Sequence, residues 1–552
     1  AAATLVAAGL PPRLAPLLAR RGVVDAAGAH RFLEPALDQL HDPMLLHGMA
    51  AAVERLGQAA REGECVAVVG DYDVDGVTAT ALLTAVLGAC GATVQPILPH
   101  RLREGYGFQP VHVEKARALG CRLIVTVDCG TASVEAVAAA VACGIDVVIT
   151  DHHLPGEPLP AGALLVNPRQ ESCAYPFPSL AGVGIALKLA MALTTSLGRP
   201  IDPRRLLRIA CLGTIADLVP LVDENRVIAA LGLAALADTT SPGLRALFRR
   251  AGVKPPFRAA DVAFRLGPRI NAAGRLDDAL GALDLILTRD VRRAESLAEA
   301  LDDLNRERQE EERRVVDEAR ELVARRGGDL PVVVAWKAGW HRGVLGIAAG
   351  RLARELHRPT ILLAVDEGEA VGSGRSVPGI ALHDFLARWR GELARFGGHD
   401  QAIGLTVDLS ADARRLDVLR DAWEEAATQW PSELLSPSLV YEIDLAAEEV
   451  DKALLAELGR LEPHGQGNPE PLVRIAPLRL ELPPRRFGKN HLSALAVGSD
   501  GGRLRLVGWG WEDRCDLLDG GPDGRFEAVG HLEIDAYHGA PRLRLADCRP
   551  LT

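Results

Sequence analysis

At 552 residues the chain is too long for one hydrophobic core and is expected to divide into about three or four domains. Its 48% hydrophobic and 24% charged residues are the composition of a globular protein, and a net charge of −11 excludes a generally basic nucleic-acid coat while leaving room for a local basic groove. The nine cysteines include no C-x-x-C pair, which argues for reduced thiols over a disulfide frame or zinc site. No apolar run is long enough to span a bilayer, and the N-terminal AAATLVAAGLPPRLAPLL is broken by Pro and Arg too early for a signal-peptide core, so the expected location is the cytoplasm.

Residues 1–50 read as a Pro-punctuated helical segment without a chemical motif. From 51 to 289, short apolar runs alternate with Ala-rich helical stretches: CVAVVG before VTATALLTAVLGACG, TVQPILPH, RLIVTVDCG before SVEAVAAAVACG, DVVITDHH, and RIACLGTIADLVPL. Each of these runs predicts a strand, and the alternation predicts a parallel sheet covered by helices. GVGIALKL (182–189) carries half of a Gly-rich phosphate fingerprint and reads as a tight turn into a helix. Residues 290–327 predict one long, charged helix bridging two domains. A second α/β unit, 328–436, opens at PVVVAW, and the tail 437–552, with alternating runs such as RLRLVGWG and PRLRLADC, predicts a small β-barrel. The expected fold is therefore α/β: two α/β domains joined by a long helix, plus a C-terminal barrel.

The stretch DYDVDG (71–76) places Asp71, Asp73 and Asp75 directly after the first apolar run. It is not an EF-hand: position 12, counted from Asp71, is Leu82, and a strand rather than a helix precedes it. In an open parallel sheet, ligands bind beyond the carboxyl ends of the strands. Asp128 ends LIVTVD, the triplet Asp151, His152 and His153 ends DVVIT, and Asp217 follows CLGTIA, so four strand ends are expected to deliver carboxylate or imidazole to one rim. Any one of these acids is an ordinary helix cap or turn residue. Together they would repel one another unless cations neutralise them, which predicts a metal site. Oxygen-rich ligation with one or two imidazoles suits Mn²⁺ or Mg²⁺, and the number of ligands suits two ions sharing a carboxylate. Phosphoester or phosphoanhydride hydrolysis is the natural reaction.

These motifs, followed in order by GWHRGVLGIAAGRLA (339–353), GSGRS (372–376) and FGGHDQAIGL (396–405), resemble those of the DHH phosphoesterases that carry a DHHA1 domain. GYG (105–107), GPRINAAGR (267–275), LNRERQ (304–309) and PHGQGNPEP (463–471) extend the resemblance to the family's single-strand-specific 5′→3′ exonuclease branch, active in DNA recombination and repair. The resemblance implies a DHH catalytic domain at 51–289, a DHHA1 domain at 328–436 and an OB-fold at 437–552. It implies that Asp73, Asp75, Asp128, His152 and Asp217 hold two ions, with Asp128 the bridge. Some relatives carry His where this chain has Val69, so Asp71 stands either as the replacement ligand or as a supporting bond. His153 is implied to touch the scissile phosphate or orient the water.

In the second unit, Gly397, Gly398 and His399 resemble a substrate-gripping loop, although Asp400 and Gln401 depart from the small residues usual after it. Ser373 and Arg375 resemble a pocket for the terminal 5′-phosphate, and Arg101, Arg269, Asn271 and Arg275 are implied substrate contacts. Trp340 reads as a packing residue rather than a base-stacking one. From Pro471 onward there are 12 Lys and Arg against 11 Asp and Glu, and Arg474, Arg485, Arg486, Lys489, Arg503 and Arg505 are concentrated there, as suits a groove for a single strand. The implied partners are single-stranded DNA, a single-strand-binding protein and a recombination helicase, with no membrane. Two alternatives share the D-H-H and G-G-H motifs or the fold: a cyclic-dinucleotide or oligoribonucleotide phosphodiesterase, which typically lacks the OB-fold and PHGQGNPEP, and a catalytically silent scaffold.

Overall fold

The computed structural model describes residues 1–551 except 102, 106, 277, 328, 329, 413, 500, 519, 521–523, 536 and 537. Tyr106 of the GYG motif therefore lies outside the described residues. The first sheet is built from β1 (Cys65–Val69), β2 (Thr93–Ile97), β3 (Leu123–Val127), β4 (Asp146–Thr150) and β5 (Ala163–Val166), all parallel in the order β2-β1-β3-β4-β5. Strands as apolar as CVAVV and LIVTV belong in a sheet covered on both faces, which parallel pairing requires. The helix Val74–Cys90 is apolar on all sides because it is enclosed by the sheet and by the helices Gly182–Ser196 and Pro203–Ala216. The strand order reverses direction between β1 and β3, and the crevice beyond their carboxyl ends is the expected ligand position in such a sheet.

One predicted strand is not a strand. RIACLGTIA forms the helix Pro203–Ala216, with Asp202 capping Arg204 N at 3.0 Å and Pro203 at its first position. A short apolar run looks the same whether it is a buried strand or one turn after another of a buried helix, and here the cap decides.

The 36-residue helix Val291–Arg326 is about 54 Å long at the usual rise per residue. It is not charged all round: Ala294, Ala298 and Leu301 pack into the core of the first unit, and Val315, Val316 and Ala319 into that of the second. Between these patches the LNRERQ motif buries Asn305 and Arg308, with Arg308 donating to Asn305 at 2.7 Å and to Glu312 at 2.6 Å. The helix is a strut gripped at both ends. The second unit is a mixed sheet of β6 (Val333–Ala338), β7 (Thr360–Asp366), β8 (Glu369–Arg375), β9 (Arg395–His399) and β10 (Ala402–Asp408), ordered β6-β7-β8-β10-β9.

The C-terminal strands β11 (Ile443–Leu445), β12 (Val473–Phe487), β13 (His491–Gly498), β14 (Arg503–Gly508), β15 (Phe526–Ile534) and β16 (Pro541–Pro550) run in the order β11-β12-β13-β14-β16-β15. Pairing of β12 with β15 closes five of them into a barrel, with β14 and β16 parallel, which is the OB-fold. The N-terminal segment is not a separate body. Its Leu14, Leu17 and Leu18 are fully buried in the same core as the barrel residues Ile475, Leu506 and Phe526. Arg21 fixes the docking through Glu442 at 2.9 Å and Asn468 at 2.7 Å. Leu17→Ala is expected to destabilise the barrel by ~2–5 kcal/mol, as for other fully buried leucines. The measurement is the denaturant midpoint read from fluorescence of the buried Trp511, with divalent-metal binding unchanged.

Candidate metal centre

β1 ends at Val69, and Gly70 carries the chain to Asp71, whose carboxylate is 2% exposed. Asp73 caps the helix Val74–Cys90 by accepting from Gly76 N at 3.0 Å. Asp75, the second residue of that helix, is buried and accepts from Gly182 N at 2.7 Å and Val183 N at 2.8 Å. Those two amides open the helix Gly182–Ser196, so the positive end of that helix serves a carboxylate of the protein. This explains GVG, which reads from sequence only as a turn. A Cβ on Gly182 would come within 2.6 Å of Asp128 Cβ, so only glycine lets this helix begin so near the end of β3.

Asp128 follows β3 with φ 60°, a left-handed conformation uncommon outside glycine, and its amide donates to Thr150 O at 3.0 Å. After β4, Asp151 accepts from Thr131 N (2.9 Å), His152 N (2.7 Å), His153 N (3.1 Å) and His153 Nδ1 (2.7 Å). Burial alone would raise its pKa, but the His153 bond and charge outweigh that and hold it well below the usual carboxylate range. Asp151 thus orients the His153 ring and holds the backbone of the His152–His153 turn. Asp217 comes from the C-terminal end of the helix Pro203–Ala216, so the rim is made of three strand ends and one helix end rather than four strand ends.

His152 Nε2 lies 3.1 Å from Asp128 Oδ1 and 3.8 Å from Asp217 Oδ2. Among the described residues neither ring nitrogen of His152 meets the geometry of a hydrogen bond, and Asp71 Oδ1 and Asp128 Oδ1 are also buried without a partner. Burial, then the charge of His153, pushes His152 down to about 4, leaving a neutral imidazole with a free lone pair. The carboxylates move the other way. Asp71 and Asp128 are pushed well above their ordinary value by burial and then by Asp73 and Asp75 respectively. Asp75 rises to about 7 through burial and Asp73, and Asp217 to about 9 through burial and Asp75. For His153, burial lowers the pKa, but the Asp151 bond and charge prevail and raise it.

Asp71, Asp73 and Asp128 each bring a ligand atom within 4.8 Å of the others; so do Asp75, His152 and Asp217, and so do Asp128, His152 and His153. Asp128 and His152 each belong to two of these groups. Orphaned, buried carboxylate oxygens beside a neutral imidazole fit a hard divalent cation, which would satisfy every one of them at once.

The expected substrate residues fall into two sets. Arg101 stacks over the Tyr72 ring at 5.0 Å and lies within electrostatic reach of Asp71, Arg275 and Arg375. Arg275 donates to Gly343 O of the second unit at 3.2 Å, and burial and then Arg101 and Arg308 hold its pKa down, to about 10. Ser373 and Arg375, on β8, lie under the first turn of the helix Leu345–Leu356. A Cβ on Gly346 would sit 2.8 Å from Arg375 Nη2 and 3.5 Å from Ser373 Oγ. Arg375 has no ion pair among the described residues. Other residues have different occupations. Asn271 Oδ1 accepts from Val74 N at 3.0 Å and so braces the D-Y-D-V-D-G turn. Arg269 is engaged with Asp302 of the long helix at 2.8 Å and with Arg265 O, so it ties the strut down rather than standing free for a phosphate.

Gly397, Gly398 and His399 are not a loop but the end of the exposed edge strand β9, paired with β10 because the two-residue Asp400–Gln401 turn closes a hairpin. Trp340 is buried and donates to Glu318 at 2.6 Å, as packing predicts. On the barrel, Arg474 is paired with Asp444 and Glu527, Arg486 with Glu512 and Arg503 with Glu481, so half of the expected cationic groove is neutralised. Arg485, Lys489 and Arg505 have no ion pair among the described residues. No helix among the described residues is long and apolar enough to cross a membrane.

Three family models match in chain order: the DHH family N-terminal domain over 65–214, the DHHA1 domain over 329–429 and the RecJ OB domain over 441–546. The chain is 38% identical to the single-stranded-DNA-specific exonuclease RecJ of Bacillus subtilis over 548 residues, 98% of this chain and 68% of that protein. It is also 38% identical to the RecJ of Escherichia coli over 521 residues, 90% of this chain and 88% of that one. The crystal structure of RecJ in complex with Mn²⁺ from Thermus thermophilus superposes with a TM-score of 0.83 at 31% identity, covering 100% of this chain and 77% of that one. A rim of buried acids around one neutral imidazole, an OB-fold of matching topology and identity along nearly the whole length lead to one conclusion: the chain belongs to the RecJ family of DHH enzymes and is a metal-dependent nuclease.

Proposed function

We propose that the chain degrades single-stranded DNA from its 5′ end to 5′-mononucleotides, hydrolysing each phosphodiester at a site that holds two Mn²⁺ or Mg²⁺ ions. The observation that carries this reading is the sharing of Asp128 and His152 between neighbouring metal-capable groups. Two such ions, when bound, activate the attacking water and neutralise charge developing on the phosphoryl group. Asp71, Asp73, Asp75, Asp128, His152 and Asp217 would hold them, and the orphaned oxygen of Asp71 favours a ligand over a supporting bond at that position. His153, oriented by Asp151 and made more basic by that bond and charge, donates to a phosphoryl oxygen of the bond being cut. Arg275 and Arg101 meet the backbone on the approach, and His399 and the exposed glycines beside it contact it from the edge of the second sheet.

Direction comes from Ser373 and Arg375. A guanidinium with no carboxylate partner among the described residues, a hydroxyl and the first turn of a helix form an anion clamp suited to a terminal 5′-phosphate. Arg485, Lys489 and Arg505 on the barrel, near the exposed rings of Phe487 and Trp509, suit a trailing single strand. Work in recombination and repair, beside a single-strand-binding protein and a helicase, follows from the family resemblance.

Asp128→Asn keeps the side-chain shape and removes the shared charge. Loss of an outer-shell partner alone costs 10–100-fold, so this variant should lose more than roughly 100-fold of its hydrolysis of a single-stranded oligonucleotide. Binding of the same oligonucleotide, read by fluorescence anisotropy, should persist; near-normal hydrolysis would refute the bridge. Digestion of 5′- and 3′-labelled oligonucleotides with Mn²⁺ or Mg²⁺ should release the 5′ label first as mononucleotide and spare a duplex. Arg375→Ala should remove any preference for a 5′-phosphate over a 5′-hydroxyl end.

Stability of the metal-free protein should depend on pH in a set direction. Asp75 and Asp217 have folded-state pKa values of about 7 and about 9, above the ordinary 3.8, so the folded state binds protons that the unfolded state has released. In chelator the melting temperature should therefore fall as pH rises over roughly 6 to 9. A saturating divalent cation should flatten that slope.

A further inference from the structure

Three consecutive polar side chains, Glu224, Asn225 and Arg226, are 0%, 0% and 2% exposed in the first turn of the helix Asp223–Leu236. Burying one such group is costly unless it is fully engaged, and burying three in a row calls for a reason. Glu224 accepts from His41 N at 2.9 Å and from Tyr175 Oη at 2.6 Å and pairs with the buried Lys188. Arg226 donates to Phe32 O at 2.7 Å, Glu462 O at 2.8 Å and Leu461 O at 3.0 Å. These two bind the N-terminal segment and the start of PHGQGNPEP to the catalytic unit.

Asn225 does something different. Its Nδ2 donates to Ser179 O at 2.6 Å and to Pro220 O at 3.1 Å, while its Oδ1 meets no donor among the described residues, so these two bonds hold the amide. Pro220 lies three residues after Asp217. Ser179 lies three residues before Gly182, whose amide holds Asp75. One side chain thus bridges the two segments that support the Asp75, His152 and Asp217 group.

We propose that Asn225 is a positioning residue for the metal centre, fixing the separation of the Asp75 and Asp217 supports; the proposal rests on the reading of those two aspartates as metal ligands. The physical need is plain, because the buried Asp75 and the half-buried Asp217 repel and their supports would drift apart without a tie. A neutral amide with two N–H groups spans two carbonyls without adding charge to an already negative site. The strand of chain it holds is otherwise awkward: Leu218 sits at φ 61°, and Leu221 N donates to Gln466 O at 2.7 Å, so PHGQGNPEP clamps the same segment from the C-terminal side.

The test uses the full chain stripped of metal, with Mn²⁺ binding measured by the loss of the free-ion electron paramagnetic resonance signal. Asn225→Ala should weaken Mn²⁺ binding roughly 10–100-fold, the range for outer-shell partners, and activity should return toward normal as Mn²⁺ is raised. Asn225→Ser, which keeps one donor, should fall between, and serves if the alanine variant does not fold. Leu236→Ala, fully buried at the far end of the same helix, should lower the melting temperature but leave Mn²⁺ affinity unchanged. Equal Mn²⁺ affinity in wild type, Asn225→Ala and Asn225→Ser, or an equal loss in Leu236→Ala, overturns the positioning role. If the wild type itself binds no Mn²⁺, the metal reading fails instead.

Discussion

Three buried carboxylates, those of Asp71, Asp75 and Asp128, meet the half-buried Asp217 at one rim, and their mutual repulsion is the constraint that the rest of the catalytic unit answers. In a low dielectric such a cluster cannot stay fully ionised on its own, which is why every one of these acids is pushed upward. The chain relieves the repulsion only in part. Two amides at a helix N-terminus face Asp75, and Arg101 and His153 lie within electrostatic reach of Asp71. The balance is left for divalent cations, and His152, kept neutral, is ready to share them.

Holding like charges together requires a frame that cannot relax. Asp128 and Leu218 keep left-handed backbones, glycine at 182 lets a helix abut the end of β3, and Asn271 and Asn225 each tie a ligand-bearing segment to a neighbouring element. The two left-handed backbones cost free energy locally and persist because the surrounding structure over-determines them. Most of the unusual geometry lies in the supports around the site, and apart from Asp128 the acids and His152 sit at ordinary strand and helix ends.

Much of this was legible in the sequence, and the pattern of what was not has a physical cause. β1, β3 and β4 were readable as apolar runs, and an acid or D-H-H directly after such a run lies at the ligand edge of a parallel sheet. Asp217 was placed at the rim for the wrong structural reason, since a buried helix and a buried strand share an apolar run. The reading of the G-G-H stretch as a loop came from the family resemblance, whereas here pairing with β10 extends the edge strand through it. The support of Asp75 by residues 182 and 183, the docking of residues 14–18 on the barrel and the Gly346 seat for Arg375 all join distant parts of the chain. No local periodicity encodes such contacts. The charges of the barrel were countable but not their pairings, so three of its arginines turned out to be spent on neighbouring acids.

The junction of the C-terminal module with the catalytic unit follows the same electrostatic logic. Arg226 is buried yet meets no carboxylate among the described residues; it is held by backbone carbonyls and lies 3.9 Å over the Phe32 ring. A carboxylate partner would have added another negative charge to the turn that also carries Asn225, in a unit already burdened with surplus acid. Carbonyl dipoles satisfy the guanidinium without that addition, and burial lowers its pKa only to about 10, so the clamp is charged at neutral pH. The Arg226 half of the junction is therefore made of charge–dipole bonds that bring no further carboxylate to the turn, beside the Glu224 contacts to His41, Tyr175 and Lys188.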